Sequence, residues 1–356
     1  MANQINQATV HILKVSIFYE LKVNLTMPKK VFCLYNLGFG VTGIYGMKSG
    51  VSQRNSQHWA HLDEAGIEFG IWFLYQTYRL FGKLPFRIIL YPIISYFFLF
   101  RRSARTASFE YLTRLNESSV RITPSTIQVI KHFVSFGESL LDKILSHTGR
   151  YTLQNVTIID REPIQAHLNR GQGLVFFTAH IGSLEVSRAL AQFRGIPMTI
   201  LVHTANSEKF NRIIKRVNPN AHVNLMQVES FGSAEAIILS AKIQAGEVVI
   251  IAADRTPISG NAAHMISVPF FGKAANFPSG PYILAHLLQC PIYSVFCTLV
   301  NGHYELRYIH FSEKIVLPRK ERSAALTEYA QQFAHVLEQQ CRRTPLQWFN
   351  FYKFWQ

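Results

Sequence analysis

From Gly171 onward, short runs of β-branched and aromatic residues alternate with stretches of helical periodicity. Alternation of this kind is typical of a sheet whose strands are mostly parallel. The sequence therefore predicts an α/β fold with a central, largely parallel mixed sheet flanked by helices. The predicted strands are Leu174–Thr178, Met198–His203, Val223–Gln227 and Val248–Ala253, and the predicted helices are Leu184–Gln192, Glu208–Arg216 and Ser233–Ala245.

A hairpin is predicted to complete the sheet. The segments Ile292–Leu299 and Tyr304–Phe311 flank Asn301-Gly302, and an Asn-Gly pair between two apolar runs is a strong signal for a tight β-turn. A helix from about Ala324 to Cys341 follows, ahead of an aromatic C-terminal tail.

The most hydrophobic segment of the chain is Leu84–Phe100, which contains Pro92 and is followed by Arg101, Arg102 and Arg105. Its length falls just short of the roughly 18 to 20 apolar residues that span a bilayer. We favour a helix that lies in the membrane interface with its arginines on lipid phosphates, over a spanning helix or a core helix.

These patterns divide the chain into residues 1–46, which match no recognisable element, an N-terminal helical membrane-associating region over 47–150, and the α/β domain over 151–356. Two further helices are predicted over 106–150, divided near Thr123–Ser125. Residues 1–46 have no signal or transit pattern. We expect them to be dispensable, with Met47 as the functional first residue; the alternative is an extension that packs on the membrane face.

The formal net charge of +15 favours an anionic partner: nucleic acid, an anionic membrane surface or an acidic carrier protein. No zinc finger, RNP-like stretch or compact Lys/Arg run is present, which argues against nucleic acid. An anionic membrane surface and an acidic carrier protein remain.

The four cysteines are scattered without a CxxC pair. Their positions, Cys33, Cys290, Cys297 and Cys341, indicate reduced core residues and neither disulfides nor metal ligands.

The candidate catalytic pattern is a His followed five residues later by an acid, and it occurs three times. The matches are His58 with Asp63, His180 with Glu185, and His203 with Glu208. Because ligands bind beyond the carboxyl ends of strands in α/β sheets, His180 is the best placed: it ends an apolar strand and precedes Gly182, which permits a tight turn. A neutral imidazole there can take a proton from an attacking hydroxyl, and Glu185 can stabilise the imidazolium that forms. The alternative is that His180 has no catalytic role and only ends the strand, and that Glu185 is present because the helix dipole favours a carboxylate there.

A second candidate group follows the strand Val248–Ala253. Arg255 can hold a phosphate or carbonyl oxygen, and Asp254 can orient His180 or a substrate hydroxyl; a simple turn cap is the alternative. Four basic residues at helix-like spacing can receive an acidic partner or form a solvated helix face. They are Lys209, Arg212, Lys215 and Arg216.

Several blocks occur in the order typical of one family, and from about His58 to the C-terminus the chain resembles the bacterial lipid A late acyltransferases, within the lysophospholipid acyltransferase superfamily. The blocks are Trp59 through Glu68-Phe69-Gly70, Tyr91-Pro92-Ile93-Ile94-Ser95-Tyr96-Phe97, Thr178-Ala179-His180 through Glu185, Ala253-Asp254-Arg255-Thr256-Pro257, Val268-Pro269-Phe270-Phe271-Gly272 with Phe277-Pro278-Ser279-Gly280-Pro281, and Pro345-Leu346-Gln347-Trp348-Phe349.

The resemblance implies a glycerolipid acyltransferase-like fold and a fatty acyl thioester of acyl carrier protein or coenzyme A as co-substrate, with no other cofactor. It implies His180 as base, Glu185 as its charge partner, and attachment to the cytoplasmic face of the inner membrane. The block that contains Pro278 and Gly280 is assigned to substrate binding.

The acceptor stays open, because Ser279 replaces the Glu of the superfamily's frequent Phe-Pro-Glu-Gly block and the neighbourhood of Asp254 differs from that of typical lipid A enzymes. Other glycolipids, ornithine-type lipids and polyene-type lipids are alternatives. Two other functional classes are also open: a catalytically silent lipid-binding relative and an unrelated nucleotide-binding α/β enzyme.

Overall fold

The computed structural model describes residues 76–118, 120, 122–146, 150–193, 195–202, 224–227, 233–255 and 264–355. The predictions for residues 1–46, and those for the helix Glu208–Arg216 with its basic residues, lie outside this range. The chain divides into two compact units, Met1–Ile93 and Ile94–Gln356.

In the first unit, residues 76–81 are helical, and helix α1 (Lys83–Phe100) begins after Gly82, whose φ is +79°. Phe86 and Leu90 are buried, whereas another set of large apolar side chains of this unit is exposed. That set is Leu80, Phe81, Leu84, Ile88 and Tyr91. The unit therefore presents an apolar surface that its own packing leaves uncovered.

Within the described part of the chain, no single helix is long and apolar enough to cross a membrane. The stretches Leu84–Phe100 and Arg102–Glu117, bent by 93° relative to each other, meet the length and composition test only as a pair.

The second unit begins within α1 and continues with the two predicted helices, α2 (Arg102–Glu117) and α3 (Thr126–Leu145). Ser125 caps α3, because its hydroxyl accepts a hydrogen bond from the backbone N–H of Gln128 at 3.3 Å.

The Arg105 side chain is engaged with the protein itself. Its guanidinium donates to the backbone carbonyls of Phe98 and Leu99, the latter at 2.5 Å, and lies over the Phe98 ring. Basic side chains at a helix C-terminus satisfy carbonyls that have no partner within the helix. Arg105 therefore supports the end of α1, a role that the prediction of phosphate contact did not include.

The central sheet contains seven strands in the order β1-β9-β8-β2-β5-β3-β4, and all neighbours are parallel except β8 and β9. Its strands are β1 (Val156–Ile159), β2 (Leu174–Thr178), β3 (Met198–Val202), β4 (Asn224–Gln227), β5 (Val248–Ala252), β8 (Ile292–Val300) and β9 (His303–Ser312). Every residue of β2 is buried, as expected for a central parallel strand covered on both faces. The predicted largely parallel mixed sheet is confirmed.

Among its described residues, the second unit also contains further helices and a hairpin that is separate from the central sheet. The helices are α4 (Glu162–Asn169), α5 (Leu184–Phe193), α6 (Ser233–Gln244), α7 (Gly280–Leu288) and α8 (Arg322–Arg343), and the hairpin pairs β6 (Met265–Phe270) with β7 (Lys273–Pro278). The sequence reasoning assigned no element to β1, α4, β6, β7 or α7.

The predicted hairpin between β8 and β9 is confirmed. Asn301 and Gly302 adopt φ values of +50° and +85°, which is the conformation that a two-residue turn of this twist requires. Cys290, Cys297 and Cys341 are buried, free thiols, and Cys33 lies outside the described residues.

Candidate active site

Strand register brings two of the predicted residues together. Strands β2 and β5 are parallel neighbours in which Thr178 pairs with Ala252. His180 and Asp254 each follow two residues later. Because parallel strands end at the same edge of a sheet, equal offsets from paired residues place both side chains at one point on that edge.

The turn after His180 depends on Gly182. Its φ is +64°, and a Cβ at this position would lie 2.0 Å from the Cys297 carbonyl oxygen. That carbonyl instead accepts a hydrogen bond from the Ser183 backbone N–H at 2.8 Å, while the Gly182 N–H donates to Gln347 at 2.9 Å. Only glycine combines this conformation with so close a backbone approach.

Asp254 binds His180 through both carboxylate oxygens. Oδ1 lies 2.8 Å from His180 Nδ1, and Oδ2 accepts the His180 backbone N–H at 2.9 Å. Since a carboxylate accepts, Nδ1 carries the proton and Nε2 presents its lone pair. The Asp254 side chain is only 2% exposed, whereas that of His180 is 38% exposed. A substrate hydroxyl can therefore reach the ring while its anchor stays shielded from water.

The electrostatic surroundings keep Asp254 charged. Burial alone raises its pKa, but the charge and hydrogen bonds of His180, together with Arg255, lower the pKa to about 2.

The same surroundings keep His180 uncharged at neutral pH. Its pKa is lowered from the ordinary value because the surrounding protein displaces part of the water around the ring, and because Arg255 and Lys143 add positive charge nearby; Asp254 opposes this shift. A neutral imidazole whose Nε2 carries no proton can act as a general base.

The C-terminal tail forms a third side of this arrangement. Trp348 donates its indole Nε1–H to Asp254 Oδ2 at 3.1 Å, and the Phe349 backbone N–H donates to the His180 carbonyl at 2.8 Å. Ile181 and Trp348 form an isolated antiparallel bridge. The sequence predicted an aromatic tail with one block of the family resemblance, and it gave Trp348 no role at the site.

Glu185 lies in the first turn of α5, where the helix dipole favours a carboxylate. It forms an ion pair with Arg188, and the two side chains are only 14% and 7% exposed. The expectation that Glu185 is the charge partner of His180 stays a prediction.

The structure describes three of the other predicted binding residues. Arg255 follows Asp254 directly and donates to the Phe349 carbonyl at 3.4 Å. Pro278 ends β7, and Gly280 begins α7. Arg212 and Arg216 lie outside the described residues.

Two tyrosines near the pair had no role in the sequence reasoning. Tyr282, in α7, is buried against Phe177, and its pKa is raised by burial and further by the charge of Asp254. The pKa of Tyr352 is raised by burial, with Arg255 and Asp254 acting on it in opposite directions. Both phenols therefore lie within electrostatic range of Asp254, and the starting turn of α7 is close to the candidate site.

A family model described as bacterial lipid A biosynthesis acyltransferase matches residues 127–356. The chain belongs to this family. Comparison with curated proteins gave no match. Membership makes the chain an acyltransferase that acts on a lipid acceptor, and it replaces the alternative of an unrelated nucleotide-binding enzyme. In this acyltransferase the matched range contains His180, Asp254 and Trp348, together with the whole central sheet.

Proposed function

We propose that this acyltransferase moves a fatty acyl chain from a thioester of acyl carrier protein or coenzyme A to a hydroxyl of a lipid or glycolipid. The reaction takes place at the cytoplasmic face of the inner membrane, with His180 as general base. The observation that carries the proposal is the His180–Asp254 pair, in which a half-exposed neutral imidazole is held by a buried carboxylate at the edge of the sheet.

The proposed chemistry needs one base. His180 Nε2 takes the proton from the acceptor hydroxyl as the oxygen attacks the thioester carbonyl, and Asp254 stabilises the imidazolium that forms. The tetrahedral intermediate then collapses, the carbon–sulfur bond breaks, and the imidazolium returns its proton to the leaving thiolate. The products are an ester and a free thiol, and no covalent enzyme intermediate is formed.

Other residues support this reaction in the proposal. The Arg255 guanidinium lies beside the pair and binds a substrate oxygen, either of the thioester carbonyl or of a phosphate. Glu185, held by Arg188, adds negative charge at the start of α5. Pro278 and Gly280 shape the substrate-facing turn between β7 and α7.

The donor test uses purified protein with an extract of membrane lipids as acceptor, and the product is identified by mass spectrometry. We expect a lipid heavier by one acyl chain, and faster transfer from acyl carrier protein than from coenzyme A at low salt. The preference should shrink as salt screens the charges between an acidic carrier and a basic protein.

The basic residues over 209–216 are the expected carrier contacts. Arg212→Glu with Arg216→Glu should raise KM for the acyl-carrier-protein donor, whereas Arg319→Glu with Lys320→Glu, on exposed residues elsewhere, should not. A carrier-dependent rate unaffected by salt and by both pairs of substitutions would exclude this docking surface.

Membrane attachment is proposed to use the apolar surface of the first unit. Leu84 and Ile88 lie one helical turn apart and are 73% and 63% exposed. Burying such side chains in the acyl boundary contributes roughly 1.5–3 kcal/mol each.

Leu84→Asp with Ile88→Asp should therefore release the protein from anionic vesicles in a sedimentation assay. The control is Ile237→Asp, a substitution in α6 of an equally apolar side chain that is 70% exposed. If only the Ile237 variant lost binding, the membrane-facing surface would be on the second unit.

A further inference from the structure

A line of hydrogen bonds continues behind Asp254 into the helical part of the second unit. The Ser108 hydroxyl lies 2.8 Å from His132 Nδ1, and His132 Nε2 lies 2.8 Å from the Trp348 carbonyl oxygen. The Trp348 indole Nε1–H then donates to Asp254 Oδ2. All four residues are buried, and they come from α2, α3, the tail and the end of β5.

Chemistry sets the direction of each bond in this line. A carbonyl oxygen only accepts, so His132 carries its proton on Nε2, and its Nδ1 accepts the hydrogen of Ser108. Burial lowers the pKa of His132 to about 4, although its bond to Trp348 opposes the shift. His132 is therefore neutral at physiological pH, and the direction of the line does not change there.

Packing holds the Trp348 ring in the orientation that this bond requires. Its ring meets those of Tyr111, Phe270 and Phe354 at near-perpendicular angles, with centroids 5.0, 5.3 and 5.0 Å away. Edge-to-face contacts of this kind are directional. Two sets of contacts thus fix the indole N–H: the ring contacts of Trp348, and the hydrogen bond from His132 to the backbone carbonyl of Trp348.

We infer that Trp348 is a positioning residue for the catalytic pair and that His132 holds Trp348 in place. The inference rests on the proposed role of His180 as base. Asp254 Oδ2 receives both the Trp348 indole and the His180 backbone N–H, which prevents the carboxylate from rotating away from Nδ1. The indole N–H also lowers the basicity of the carboxylate. Asp254 therefore stabilises protonated His180 less than a carboxylate without this hydrogen bond would.

Trp348→Phe keeps an aromatic ring and removes only the donor. We expect kcat to fall about tenfold with KM nearly unchanged, because a hydrogen bond to a charged group contributes free energy of that order. The acid limb of the kcat profile should move to higher pH, since the more basic carboxylate favours protonated His180. The other charged groups that act on His180, Arg255 and Lys143, are unchanged in this variant.

Trp355→Phe is the matched control. Trp355 is also a buried tail residue, and its Nε1–H donates at 2.9 Å to the Phe270 carbonyl, away from Asp254. Its loss should lower the melting temperature comparably while leaving kcat and the acid limb in place. A second pair of variants tests whether His132 holds Trp348 in place. His132→Gln retains a donor for the Trp348 carbonyl and should keep more activity than His132→Leu.

The outcomes separate two kinds of failure. If His180→Ala remained active, the proposed function would be wrong, and the role of Trp348 would fall with it. If His180→Ala were inactive but Trp348→Phe matched Trp355→Phe in kcat and pH profile, Trp348 would be a core residue only, and the positioning role would be rejected.

Discussion

His180→Ala is expected to abolish acyl transfer while the protein stays folded. Removal of a general base costs on the order of 10² to 10⁴-fold in rate. The fold should survive because the His180 side chain is 38% exposed, and truncation at such a position leaves no closed cavity. Steady-state transfer rates and a thermal melt of the same preparation measure the two properties.

The other histidines in the repeated pattern provide controls. His58→Ala and His203→Ala should have mild effects, although both positions lie outside the described residues. Inactivity of His203→Ala combined with normal activity of His180→Ala would move the catalytic role to the other strand end.

Asp254→Asn is expected to have the second largest effect, and it discriminates between the two carboxylates. The amide keeps the size of the side chain but removes its charge, so the tautomer of His180 is no longer fixed and the imidazolium loses its partner. We expect kcat to fall by about 10² to 10⁴-fold. Glu185→Gln should be milder, because Glu185 is paired with Arg188.

The pH dependence of kcat/KM is an independent test of the His180–Asp254 pair, because the direction in which its acid limb shifts can be predicted. The base works only when neutral, so kcat/KM should be full at neutral pH and fall as pH drops through the His180 pKa, which is below its ordinary value. Asp254 raises that pKa, so Asp254→Asn should shift the acid limb to still lower pH. Glu185→Gln should leave the limb in place. The opposite pattern, with the limb shifted by Glu185→Gln alone, would identify Glu185 as the working partner.

Sequence reasoning located both members of the pair, since His180 and Asp254 each follow an apolar run that had to be a strand. Contact with His180 was only one of the roles predicted for Asp254, beside contact with a substrate hydroxyl and a simple turn cap. Chain order puts β3 and β4 between β2 and β5, whereas in the sheet β2 and β5 are direct neighbours. Strand order depends on which helices cross which face, and local periodicity carries little information about that choice.

Trp348 shows a different limit. Hydrophobicity predicts that an aromatic tail is buried, but it does not identify the residues that the tail contacts. The bond from Trp348 to Asp254 joins residues 94 positions apart, and it depends on the bridge between Ile181 and Trp348. The short strands β6 and β7 were missed for a local reason. Their turn has Gly272 at its second position, but its first position holds Phe271 at φ +50°, a conformation unusual for a bulky side chain, where Asn or Asp is the usual signal.

The bridge that joins the tail to the turn after His180 has a consequence for synthesis. Ribosomes deliver a chain from its N-terminus, so all seven strands of the sheet emerge before residues 347–349 do. A nascent chain can thus complete its sheet while the carboxylate of Asp254 still lacks its indole donor. A chain that stopped before Trp348 would still contain every strand of the described sheet, but its Asp254 carboxylate would have no indole donor.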